Sequence, residues 1–77
     1  MRLTIKYLGM LAEVTNCEQE TLEFSKSVVS ELIEELINKD PELSNREFKV
    51  AQDLEIISNE CTINANEIAL LPPFSGG

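Results

Sequence analysis

Histidine is absent from this 77-residue chain, cysteine occurs only twice, and six basic residues face fourteen acidic ones. Each shortage removes a class of function. With no histidine, and no hydroxyl beside another evident base, the chain is not expected to catalyse a reaction alone. With no histidine and no cysteine cluster, a zinc site lacks its ligands. Cys17 and Cys61 have no export signal to accompany them, because Lys6 breaks the apolar run from Leu3 to Ala12 and no cleavage site follows. Both read as reduced thiols of a cytoplasmic protein. No apolar stretch approaches the length of a bilayer span. The net charge of −8 disfavours nucleic acid and anionic membrane as partners, since both attract Lys and Arg. Lys49 is the last basic residue. A phosphorylated substrate would therefore have to be held by a basic partner, toward which an acidic chain is steered.

Glycine is scarce as well: three in all, and two of them are the closing Gly76-Gly77. Glycine adds backbone entropy and no side chain, so the pair contributes little to folding. It does offer a carboxylate on an arm whose last two residues lack a Cβ and fit a narrow channel. Pro72 and Pro73 fix φ and stiffen the base of that arm. The six residues from Pro72 to Gly77, fully extended, reach about 20 Å beyond the last strand. A frayed terminus is the plainer reading of the same residues.

The length corresponds to one domain, residues 1–77 with a tail over 72–77, burying about 60% of its unfolded surface. Residues 2–8 alternate, with Leu3, Ile5 and Tyr7 on one face and Thr4, Lys6 and Leu8 on the other, a half-buried strand. Gly9 to Asn16 is a connection with a helical turn at Met10–Val14. Glu20 to Phe24 is a second alternating run, Leu22 and Phe24 inward. Ser27 is the expected N-cap of a helix. In it Val29, Leu32, Ile33, Leu36 and Ile37 form one apolar stripe, Glu31, Glu34 and Glu35 face solvent, and Pro41 stops the run. Phe48 to Ala51 and Leu54 to Ile57 are short strands. Asn64-Ala65-Asn66 reads as a turn, since Asn tolerates positive φ. Glu67 to Leu71 is the last strand, Ile68 and Leu70 inward, Ala69 and Leu71 outward.

This order predicts an α+β fold: a small mixed sheet with one main helix packed on one face. The apolar first and last strands would lie parallel at its centre, followed by a flexible Gly-Gly tail, which is the ubiquitin-like β-grasp. A ferredoxin-like sandwich would need a second convincing helix.

The pattern, with its ending Leu70-Leu71-Pro72-Pro73-Phe74-Ser75-Gly76-Gly77, resembles the MoaD family, the small subunit of molybdopterin synthase. The resemblance covers the whole chain. It is strongest over Asn66 to Pro73 and the closing Ser-Gly-Gly, and weaker over Tyr7 to Val14. Gly-Gly is shared by every ubiquitin-like carrier, whereas the double proline at this distance from the end is more specific to this branch. The family often has Asp-Gly-Asp where this chain has Asn64-Ala65-Asn66, and a β-branched residue where it has Phe74.

The resemblance implies a non-catalytic sulfur donor within a sulfurtransferase complex. A partner similar to ubiquitin-activating enzymes would adenylate the Gly77 carboxylate with ATP, and sulfur would replace AMP to leave a thiocarboxylate. The large synthase subunit, in a heterotetramer, would pass that sulfur to a cyclic pyranopterin monophosphate and build the molybdopterin dithiolene. Apart from the transient AMP adduct and the thiocarboxylate, no cofactor is implied. Gly77 carries the sulfur. Pro72 and Pro73 set the exit direction; with Phe74, Ser75 and Gly76 they form the arm that enters the partner's channel, and Gly76 keeps the approach free of side chains. Leu8 and Leu71, out of phase with their strands' core residues, and Leu54 form the partner interface. Three other readings stay open: a sulfur carrier for thiazole synthesis, against which the double proline speaks; a ubiquitin-like modifier joined to lysines; and a non-covalent module pairing through a sheet edge.

Overall fold

The structure is a computed structural model and describes residues 1–73. Along the chain run β1 (Arg2–Tyr7), α1 (Met10–Thr15), β2 (Gln19–Glu23), α2 (Val29–Lys39), a 3-10 turn (Pro41–Asn45), β3 (Lys49–Gln52), β4 (Glu55–Ile57) and β5 (Glu67–Leu71). The five strands form one sheet in the order β2-β1-β5-β3-β4. β1 and β5 are parallel, Ile5 opposite Ile68 and Tyr7 opposite Leu70. The remaining pairs are antiparallel. The period-2 pattern decides which face is core: Leu3, Ile5, Tyr7, Ile68 and Leu70 are all buried.

The apolar stripe of α2 packs on that face. Val29, Leu32 and Leu36 are fully buried, and Ile33 and Ile37 partly so. The helix begins one residue later than expected, with Val28 and not Ser27 at the N-cap. The cause is tertiary. Val28 is held extended by an antiparallel bridge to Thr62, and the Ile63 N–H donates to the Ser27 carbonyl at 2.8 Å. A valine side chain accepts nothing, so the helix's free N–H groups find other partners. Glu31 Oε1 accepts from the N–H of Val28 at 3.2 Å and of Ser27 at 3.3 Å. The carbonyls of Cys61 and Asn59 accept from Val29 and Ser30, both at 3.0 Å.

Pro41 ends α2 as expected, and the 3-10 turn after it delivers Leu43 to the core. The turn before β5 is built differently from the expectation. Neither Asn64 nor Asn66 has a positive φ. The buried Gln52 side chain holds this segment: its Oε1 accepts from the N–H of Asn64 at 2.8 Å and of Ala65 at 3.2 Å, and its Nε2 donates to the Thr62 carbonyl at 3.3 Å. The left-handed pair lies instead at Asp53 (φ 54°) and Leu54 (φ 67°), between β3 and β4, where a two-residue turn of that hand matches the strand twist. Cys17 and Cys61 are free thiols. Among the described residues no helix is long and apolar enough to cross a membrane.

Candidate functional site

The solvent face of the sheet is divided. A cross-strand row runs from Ile56 on β4 to Ala51 on β3, Ala69 on β5 and Lys6 on β1. Its β3–β4–β5 side is apolar. Its β1–β2 side is polar: the Thr4 and Thr21 hydroxyls are 3.2 Å apart, and Lys6 Nζ reaches across to Glu67, at the start of β5, at 3.4 Å. The two small alanines, directly opposite each other, make the floor of a shallow depression. Leu8, Leu71, Leu54 and Ile56 stand around it, and Asp53 and Glu67 line it too. Three of these walls are the residues expected from sequence, so the fold does bring Leu8, Leu54 and Leu71 together.

Three of the five exposed large apolar side chains among the described residues meet on this face, while Met1 and Met10 lie apart from it. Leu8 is 41% exposed, Ile56 58%, and Leu54 entirely so. Leu54 is also left-handed, a conformation that is uncommon for bulky residues. Nothing in the folding of the monomer benefits from leucine there. Ile56, Ala51 and Ala69 were not singled out from sequence as site residues. The signal for Ile56 was available, since it follows the hairpin turn in phase with Leu54.

The chain leaves the sheet beside this face. Leu8 N–H donates to the Leu70 carbonyl at 3.0 Å, which extends the β1–β5 pairing past Tyr7. Leu71 then pairs with Lys49. Pro72 is half-buried and Pro73 exposed. Pro72 packs over Gly9, where a Cβ would come within 2.9 Å of the proline Cγ. Phe74, Ser75, Gly76 and Gly77 lie outside the described residues.

One polar cluster lies elsewhere. Tyr7 donates to Glu20 Oε2 at 2.5 Å, and Lys39 donates to Glu20 Oε1. Burial pushes the Tyr7 phenol well above its ordinary range, and the Glu20 carboxylate raises it further. For Glu20 burial works upward, but the hydrogen bonds from Lys39 and Tyr7 and the Lys39 charge outweigh it and hold the carboxyl low. The Lys39 ammonium is raised by its hydrogen bond to Glu20. All three partners satisfy one another, so the cluster ties β1, β2 and α2 together. Among the described residues no group of three or more His, Cys, Asp or Glu side chains is placed to hold a metal ion.

One helix across a mixed sheet whose first and last strands pair in parallel at the centre is the ubiquitin-like β-grasp. The chain belongs to the ThiS family, whose model matches residues 5–77. The fold recurs in a protein of Pyrococcus furiosus provisionally assigned as molybdopterin converting factor, subunit 1. The TM-score is 0.87 at 15% identity, over 96% of this chain and 99% of that one. It recurs in small archaeal modifier protein 1 of Haloferax volcanii, with a TM-score of 0.80 at 22% identity over the whole of both chains. The same modifier from Methanosarcina acetivorans gives 0.78 at 22% identity, over 99% of this chain and 96% of that one. At these identities the likeness is one of fold.

Proposed function

We propose that this chain is the sulfur carrier of molybdopterin synthase. An adenylating partner joins the Gly77 carboxylate to AMP from ATP and releases pyrophosphate. A carboxylate is a poor electrophile, and the acyl-adenylate supplies the leaving group. A sulfur nucleophile then displaces AMP and leaves the thiocarboxylate. The large synthase subunit docks on the face around Leu8, Leu54, Ile56 and Leu71, takes the tail into its active site, and transfers the sulfur to the anionic pyranopterin precursor. Carrying sulfur on a tethered arm gives a high local concentration at the acceptor. The reaction consumes ATP, and the proposed compartment is the cytoplasm.

The observation that carries this reading is the apolar face at the root of the tail. Exposed Leu8 stands with Leu71 where β5 ends, and the same face continues down the strand past Ala69 and Ile56 to Leu54 beside Glu67; such a patch leading to a functional arm reads as an interface. The family match running on through Gly76-Gly77 supports the tail chemistry. Acidic Asp53 and Glu67 at the rim, with no basic residue after Lys49, suit a basic partner that also holds the phosphorylated precursor.

The test is to delete Gly77, or to add one residue after it, and to follow molybdopterin formation with the partner enzymes. Either change is expected to abolish sulfur transfer and leave the melting temperature nearly unchanged. Normal transfer by the extended chain would rule the carrier reading out. Transfer to a thiazole precursor in place of the pyranopterin, or isopeptide conjugates in cells without molybdopterin formation, would favour the neighbouring readings with the same tail chemistry.

A further inference from the structure

We propose that Gly9 is a positioning residue for the tail: by leaving room for Pro72 it sets the direction in which the chain beyond Pro73 enters a partner's channel. The inference rests on the sulfur-carrier reading and concerns how that carrier is aimed. Gly9 is the one glycine outside the closing pair, and it joins β1 to α1 with φ 59° and ψ −137°. Residues with a Cβ are strained in that region. A second constraint is independent of the first. A Cβ at Gly9 would lie 2.9 Å from Cγ of Pro72 and 3.6 Å from Cδ, and a pyrrolidine ring cannot fold away as a long side chain can.

Something must yield if a methyl group is placed there, and the hydrogen bonds say what. The backbone around Gly9 is tied on both sides. Leu8 N–H donates to the Leu70 carbonyl at 3.0 Å, the Leu8 carbonyl accepts from Leu11 at 3.2 Å, and the Gly9 carbonyl accepts from Ala12 at 3.2 Å. Pro72 is one residue past the end of β5 and has no N–H with which to join a ladder. Pro72 is therefore the part that moves. Gly77 lies five positions further along the chain. If a partner's channel holds that segment extended, its reach is about 17 Å, and a tilt of roughly 10° at Pro72 displaces the end by about 3 Å. A misplacement of about 1 Å can already cost about 100-fold in a transfer step.

The chain is short enough for chemical synthesis with the thiocarboxylate installed, which bypasses the activating partner. Sulfur transfer to the pyranopterin by the large subunit is measured for wild type, Gly9→Ala, Pro72→Ala and the double variant, with circular dichroism as the folding control. Gly9→Ala is expected to lower kcat by about 10-fold or more while KM for the carrier stays within about twofold, because the docking face is untouched. The double variant is expected to recover the kcat of Pro72→Ala alone, because removing the ring removes the clash and leaves the backbone strain in place. A kcat for Gly9→Ala within about twofold of wild type, or a double variant clearly slower than Pro72→Ala alone, overturns the inference. Nuclear Overhauser contacts between the Gly9 α-protons and the Pro72 γ-protons in the wild-type chain test the seat without any variant; their absence also overturns it. Failure of the wild-type thiocarboxylate to transfer sulfur would remove the carrier reading instead, and the proton contacts would still decide whether the seat exists.

Discussion

Leu8 and Leu71 are out of phase with the buried residues of their strands and lie on the outside of the sheet. Truncating either is expected to have little effect on folding. As anchors at the centre of an interface, each should weaken the complex with the large subunit by about 1–3 kcal/mol when cut to alanine. A charge is the harsher change, since Leu71→Asp would bury an unpaired carboxylate against the partner. Binding titrations of the folded Leu8→Asp and Leu71→Asp variants are expected to show loss of the complex although Gly76-Gly77 is intact. Wild-type affinity for both would mean that the tail makes the contact alone. A different kind of residue effect comes from Glu20. Its carboxyl is held below the ordinary value of 4.5, so the folded chain binds that proton less readily than the unfolded chain. The resulting stabilisation is present above that pH and is lost as the pH falls through it toward the depressed folded value. Tyr7 has the opposite sign: raised above its ordinary 10.0, it stabilises below that pH and ceases to do so as the pH rises beyond it. Melting temperatures recorded from about pH 6 to about pH 3 should therefore fall more steeply in wild type than in Glu20→Gln. Parallel curves would show that the Lys39–Glu20–Tyr7 cluster contributes nothing on the acid side.

Among the elements, α2 sets Val29, Leu32 and Leu36 fully buried against one side of the sheet, and Leu36 is 1% exposed. Leu36→Ala is expected to cost about 2–5 kcal/mol in denaturant unfolding, a large share of the stability of a domain this small. A cost below about 0.5 kcal/mol, the range of featureless surface positions, would mean that the stripe does not pack as described. The elements readable in the sequence were those with a sustained period: Leu3, Ile5 and Tyr7; Ile68 and Leu70; Val29, Leu32 and Leu36. Elsewhere long-range contacts overrode local rules. Ser27 lost the N-cap to Val28 because Thr62 and Ile63 hold that backbone extended. The segment before β5 needs no left-handed asparagine because Gln52, ten or more residues earlier, supplies the hydrogen bonds. Leu43 reaches the core from a 3-10 turn too short to show any period.

For the whole molecule, the acidic charge and the divided sheet face agree with the proposed carrier: the chain is repelled by phosphates and presents an apolar face leading to its tail. The wall residues Leu8, Leu54 and Leu71 were legible because alternation tells inside from outside. The alanine floor and the Gly9–Pro72 seat were not, since they depend on which strands become neighbours. The most direct test of the sulfur-carrier proposal is the intact mass of the chain isolated from host cells that lack the large synthase subunit. Charged carrier has no acceptor there and should accumulate. The expected result is a species heavier than the unmodified chain by the difference between one sulfur and one oxygen, localised by fragmentation to Gly77. Unmodified chain alone, in cells where its activating partner is present, would contradict the proposal.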